Sequence, residues 1–145
     1  MLSNSCKYAI RAVIYLGIES EKTKVLGVNK IAEALKIPMP FLSKIFQSLA
    51  KNKILISVKG PYGGFGFARP LGKITLMDII EVIDGKDLFE RCLMGFNPCS
   101  NDKDKCCPAN ATFYPIKMEL KQYFEDHTIK EFVDEFKTKR SQVEI

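Results

Sequence analysis

At 145 residues the chain has room for one domain, or for one compact domain with an appended dimerisation element. Its 46% hydrophobic and 27% charged residues are those of a soluble globular protein, and no apolar run approaches the ~20 residues that span a bilayer. The first residues lack the charged-then-apolar order of a signal peptide, so the expected compartment is the cytoplasm, with no membrane partner. Five cysteines there point to metal or redox chemistry more than to disulfides. The net charge of +5 is unevenly spread. Residues 1–73 carry 12 Lys/Arg against Glu19, Glu21 and Glu33, whereas residues 74–145 carry 10 against 14 Asp/Glu. A basic half joined to an acidic one suggests a polyanion partner for the first, and the placement of the charges has to decide it.

From Lys7 to Ile18 the residues Ala9, Ile10, Val13, Ile14 and Leu16 recur at helical spacing, and the polar stretch Glu19–Lys24 ends this first helix. A second helix is expected to open near Asn29, a good N-cap, and to bury Ile31, Ala32 and Leu35. Pro38 then breaks the helix, and Pro40 suits the first turn of a third. That third helix carries Leu42, Ile45, Phe46 and Leu49 on one face, and Ser43, Lys44, Gln47, Ser48 and Lys51 on the other. Two short helices joined by a tight turn read as a helix-turn-helix. Residues 54–58 are strand-like, Phe65–Arg69 can return as their partner, and Lys59–Gly64 between them permits a tight reversal. A basic hairpin with an aromatic tip, directly after a reading helix, is a wing aimed at the phosphate backbone or the minor groove. The candidate DNA-binding residues are Ser43, Lys44 and Gln47 on the third helix, Lys59 and Tyr62 on the wing, and Arg11 as a phosphate contact.

The runs 7–12 (KYAIRA), 41–45 (FLSKI), 60–65 (GPYGGF), 68–70 (ARP) and 74–78 (ITLMD) resemble the Rrf2 family of winged-helix repressors, the BadM/IscR type, from residue 1 to about residue 137. The resemblance implies a homodimer on a roughly palindromic DNA operator, with one recognition helix per half-site. Two positions depart from the family pattern. Lys36 stands where the family usually has a glycine, and it costs about 1 kcal/mol if that position needs a positive φ. Gly66 stands where the family often has a basic residue, so one DNA contact is expected to be missing.

Cys92, Cys99, Cys106 and Cys107 fall within sixteen residues of a segment without regular pattern. On the pattern alone the thiols could be inert, form a disulfide, or hold zinc or an iron–sulfur cluster. Adjacent Cys106 and Cys107 cannot easily both ligate one zinc. The resemblance turns the reading toward iron, because many family members hold a two-iron or four-iron cluster on three cysteines here. Cys92 and Cys99 then match the first two ligands, and Cys106 or Cys107 the third. The histidine that some relatives place three residues after the last cysteine is absent, Ala109 and Asn110 standing there. The acidic N-terminal ligand of other relatives corresponds to Lys7. The fourth ligand is left open between Cys6 of a partner chain, the spare cysteine and a non-cysteine group. His127, the sole histidine, is expected at the surface.

The remainder is core and dimer interface. Thr75–Ile83 is expected as a helix with Leu76, Ile79, Ile80 and Ile83 inward. Pro115 is expected to start another that buries Ile116, Leu120, Tyr123 and Phe124. Thr128 and Glu131 form a capping box for a last helix with Ile129, Phe132, Val133 and Phe136 on one face, serving either a dimer or intramolecular packing. The expected architecture is mostly α with a small β-wing. Residues 1–73 form the winged helix-turn-helix, and residues 74–145 form a sensor loop (92–107) with dimerisation helices. The expected function is a cluster-controlled DNA-binding regulator. The alternatives are the same regulator sensing by thiol oxidation, zinc or a protein partner, and more remotely an electron carrier or cysteine enzyme. No histidine stands near the cysteines as an obvious activating base, which counts against an enzyme.

Overall fold

Helix α1 (Asn4–Glu19) is the element around which the others gather: Cys6, Ala9, Ala12, Val13 and Leu16 are each at most 1% exposed. The computed structural model describes residues 1–92, 95 and 107–139. α1 opens a turn earlier than the apolar spacing suggested, because Ser3 caps it, its hydroxyl accepting from the Cys6 N–H at 3.0 Å. Ser3 is itself anchored 81 residues away: its backbone N–H donates to Asp84 Oδ2 at 2.9 Å and its hydroxyl donates to Asp84 Oδ1.

Helices α2 (Val28–Leu35) and α3 (Met39–Lys51) form the helix-turn-helix. The cap of α2 is Gly27, not Asn29. Leu26 exchanges backbone hydrogen bonds with Phe65 (2.9 and 3.0 Å), which holds the chain extended through Gly27 and lets the helix begin one residue later. α2 ends at Lys36 with φ 54 and ψ 40, so the left-handed turn is real and a lysine occupies it. The Ile37 N–H then returns to the Ala32 carbonyl at 2.9 Å, satisfying an end that Pro38 could not extend.

Strands β1 (Leu55–Val58) and β2 (Gly64–Phe67) pair antiparallel, with Leu55 opposite Phe67 and Val58 opposite Gly64. β2 ends at Phe67 rather than Arg69. Ala68 still donates to the Ile54 carbonyl at 3.1 Å, but Arg69 turns away to an ion pair with Asp78 at 3.0 Å, and Pro70 has no N–H to continue the ladder. β2 also lies hard against the 24–27 segment. A Cβ on Gly64 would sit 2.2 Å from the Leu26 carbonyl oxygen, and one on Gly66 2.5 Å from that of Lys24. The missing side chain at Gly66 is therefore a packing requirement of this wing.

Helix α4 (Leu76–Ile83) starts with a reciprocal capping box between Thr75 and Asp78. Leu76, Met77, Ile79 and Ile80 are buried, while Ile83, expected inward, is half-buried. α5 (Pro108–Asp126) begins at Pro108, seven residues before the expected Pro115, which lies inside the helix. Proline is tolerated there because both it and Ala111, whose carbonyl loses its donor, are exposed to water. Of the four residues expected inward, only Phe124 is buried and Leu120 is half-buried; Ile116 is 59% and Tyr123 44% exposed. The buried stripe of α5 is instead Asn110, Lys117 and Phe124.

α6 (Ile129–Lys139) lies along α1, burying Ile129 and Val133 with Phe132 and Phe136 half-buried beside them. The Thr128 hydroxyl meets the Glu131 carboxylate at 3.2 Å. The starts of α4 and α6 are stitched together by Leu76 N–H to His127 O (3.0 Å) and Ile129 N–H to Ile74 O (2.8 Å). Among the described residues no helix is long and apolar enough to cross a membrane.

Candidate nucleic-acid interface and cysteine site

α3 is held from both ends by aromatic contacts. At its start Phe41 meets Tyr8 of α1 edge to face at 5.8 Å, and further along Phe46 meets Phe65 of β2 at 5.2 Å. With Leu42, Ile45, Phe46 and Leu49 buried, Lys44, Gln47, Ser48 and Lys51 are left facing solvent together. Ser43 is half-buried, and its hydroxyl donates to Met39 Sδ at 3.4 Å. In the wing Lys59 is exposed and Tyr62, at 95%, stands clear of the protein at the tip. The Phe46–Phe65 contact thus ties the helix carrying Lys44 and Gln47 to the hairpin carrying Lys59 and Tyr62. Arg11 is half-buried on α1, three residues from Tyr8, on the side that meets the start of α3. Two features escaped the sequence reading. Met39, 47% exposed, joins the outward face at the first turn of α3. Lys53 (φ 59) places a second lysine in a left-handed turn, where α3 gives way to the wing.

Cys92 and Cys107 are both half-buried, Cys107 as the N-cap of α5. Cys99 and Cys106 lie outside the described residues. Among the described residues no three His, Cys, Asp or Glu side chains converge as a metal site. The approach to Cys92 is well fixed. Arg91 pairs with Asp87 at 2.9 Å and donates to the Asp84 carbonyl at 3.0 Å, and the hydrogen bond from Arg91 holds the Asp87 carboxyl below its ordinary range. Lys117, only 4% exposed, donates from Nζ to the Arg91 carbonyl at 3.0 Å, with the Tyr114 ring 5.9 Å away. Phe89 packs on Phe124 at 6.1 Å. Asn110 is 2% exposed, and its side-chain oxygen has no hydrogen-bond partner. Lys117 was not singled out from the sequence, and Asn110 was noted only as standing where some relatives have a histidine.

Cys6 does not suit the ligand role kept open for it. It is fully buried in its own subunit, where burial and the nearby Asp84 charge push its thiol up to about 12, and it presents no sulfur at the surface to a partner chain. His127 is not a free surface side chain either: it is half-buried, stacked on Tyr123 at 4.0 Å, with Nδ1 2.8 Å from the Tyr123 carbonyl.

The Rrf2 family model, described as an iron-dependent transcriptional regulator, matches residues 2–135. The chain belongs to the Rrf2 family. A protein of Aquifex aeolicus named as an HTH-type transcriptional regulator is 34% identical to this Rrf2 chain over 134 residues, 92% of each. The HTH-type transcriptional regulator IscR of Cronobacter sakazakii is 28% identical over 133 residues, 92% of this chain and 80% of that one. Among solved structures, CymR, the global cysteine regulator of B. subtilis, superposes with a TM-score of 0.77 at 18% identity, covering 92% of this chain and 96% of its own. The IscR of T. potens superposes with a TM-score of 0.73 at 19% identity, covering 99% and 91%. These two likenesses fix the fold, which among the described residues has six α-helices and a two-stranded wing. The Rrf2 chain is a transcriptional regulator, as its relatives are, and not an enzyme.

Proposed function

We propose that this Rrf2 regulator acts in the cytoplasm as a homodimer on a palindromic DNA operator, and that an iron–sulfur cluster on the cysteine segment sets its affinity. The DNA half of the reading is carried by one observation: the outward face of α3, with Lys44 and Gln47, is packed through Phe46 and Phe65 onto a wing that presents Lys59 and Tyr62. Residues 1–73 form this reading portion. Ser43 and Gln47 suit base edges, and Lys44, Lys59 and Arg11 suit phosphates. Two-fold symmetry supplies a second recognition helix for the other half-site. The dimer reading is supported by α5. Because α6 spends Ile129 and Val133 on its own α1, Ile116 and Tyr123, seven residues apart, remain as an exposed stripe.

For the sensor, the donor set has the right chemistry. Thiols stand at both ends of the segment, at Cys92 and Cys107, and thiolates are the soft ligands that iron–sulfur clusters take. Cys92, Cys99 and one of Cys106 and Cys107 would hold the cluster, whose iron would supply positive charge to offset converging thiolates and whose redox state or loss would be the signal. The test is anaerobic purification and reconstitution with iron and sulfide, followed by absorption spectra and gel shifts on the protein's own promoter. A visible charge-transfer spectrum whose loss changes operator affinity is expected. A colourless protein that still binds DNA would leave a thiol- or partner-sensing regulator. A protein that binds no DNA in either state would overturn the whole reading.

A further inference from the structure

We propose that Met39 is a specificity-determining residue, reading the C5 methyl group of a thymine in each half-site of the operator; this rests on α3 being the recognition helix. Met39, Ser43 and Gln47 follow one another at four-residue intervals, so they form a single ridge along α3. At 1.5 Å per residue this ridge is about 12 Å long, which fits within a major groove about 12 Å wide. From the start of the helix its members run apolar, hydroxyl and amide, and Lys51 continues it to the last turn.

Packing does not explain an apolar residue at the head of that ridge. Three residues before Leu42, Met39 has the spacing to join the buried face of Leu42, Ile45, Phe46 and Leu49, yet it is 47% exposed. Phe41, the neighbouring exposed apolar residue, meets the ring of Tyr8. Met39 lies instead along the ridge, where the Ser43 hydroxyl donates to its Sδ at 3.4 Å. Its backbone is fixed as well. Pro38 and Pro40 stand on either side, and the Pro38 carbonyl accepts from the Phe41 and Leu42 N–H groups at 3.1 and 3.0 Å. The thioether is thus presented at a defined place over the first turn. Because the Ser43 proton is spent on sulfur, the Ser43 oxygen keeps lone pairs for a donor on the DNA. A thioether beside an acceptor oxygen complements a T·A pair, which shows a methyl on one base and an amine donor on the other in the major groove. A C·G pair shows the amine without the methyl, so the thioether is what separates the two pairs.

The experiment uses the full-length protein and the duplex that it protects in a footprint on its own promoter. Thymines of the footprint are replaced by deoxyuridine, one symmetric pair at a time, which removes the methyls and leaves every hydrogen-bonding group in place. Gel shifts measure the affinities of wild type, Met39→Ala and Met39→Gln, with circular dichroism to confirm folding. One symmetric pair of thymines is expected to matter to the wild type, loss of its methyls weakening binding about fourfold per half-site and about fifteenfold for both. Met39→Ala and Met39→Gln are expected to bind the thymine and deoxyuridine duplexes equally. Their salt slope is expected to stay that of the wild type, because no phosphate contact is lost. A methyl effect that persists undiminished in both variants comes from the shape of the DNA and overturns the assignment of Met39, as does a wild type indifferent to every replacement. If Met39→Ala does not fold, Met39→Gln still decides. A wild type that protects no segment of its promoter overturns the reading of α3 as a recognition helix.

Discussion

Gly17 sits in the middle of α1, where alanine would ordinarily be better. In an exposed helix interior Gly→Ala stabilises by about 1 kcal/mol. Here α6 crosses close by: a Cβ on Gly17 would lie 2.5 Å from Val133 Cγ2, and Val133 is itself only 1% exposed. A helical valine has one strongly preferred rotamer, so the methyl cannot swing aside freely. Overpacking of this kind costs about 1–3 kcal/mol, which outweighs the propensity gain and gives a net loss of about 1 kcal/mol for Gly17→Ala. Val133→Ala alone should cost roughly 2 kcal/mol by removing buried methyls. On that background the obstructing methyl is gone, so Gly17→Ala should now stabilise by about 1 kcal/mol. The sign reversal corresponds to a coupling of about 2 kcal/mol between the two positions. Urea unfolding of the four proteins, at one fixed concentration because association would shift the midpoint, measures it. A Gly17→Ala variant more stable than wild type on both backgrounds would refute the docking of α6 against α1.

Three further outcomes are expected. Lys36→Gly should raise stability by roughly 0.5–1 kcal/mol in the same assay, since φ 54 is a left-handed conformation that glycine adopts more readily. Lys44→Ala and Lys59→Ala should each weaken operator binding and lower the slope of log affinity against log salt by about one, and unchanged gel shifts for both would remove the helix–wing assignment. For Cys6 the native thiol titrates at about 12 against an ordinary 9.0, so the folded state holds its proton more tightly than the unfolded chain. That contribution is complete below pH 9 and falls as the pH rises toward 12, by up to about 1.4 kcal/mol per unit. The stability difference between wild type and Cys6→Ala should shrink over pH 9–11, and a constant difference would contradict the burial of a protonated thiol.

The reading portion was largely legible because its signals are local. Pro38 and Pro40 bracket a turn, the spacing of Leu42, Ile45, Phe46 and Leu49 assigns one face of α3, and the Gly60–Gly64 run can only reverse the chain. α5 was misread for a physical reason. Pro115 looks like a helix start, but Pro108 is one too, and a proline whose lost hydrogen bond faces water does not stop a helix. Its buried stripe is two-thirds polar, so hydrophobic periodicity pointed to Ile116 and Tyr123, which are exposed. The burial of Lys117 follows from the Arg91 carbonyl that it reaches, and no pattern within α5 encodes that. The Ser3 cap was equally invisible, its partner lying 81 residues away.

Asp84 has two attachments. Its side chain holds Ser3, the cap of the central helix, and its backbone carbonyl holds Arg91, the residue before Cys92. In genetic terms the two are separable at one residue: a substitution at Asp84 removes the carboxylate and with it the hold on Ser3, whereas the main-chain carbonyl that Arg91 uses survives any replacement. An Asp84 allele should therefore resemble an allele at Ser3, and an allele at Arg91 should differ from both.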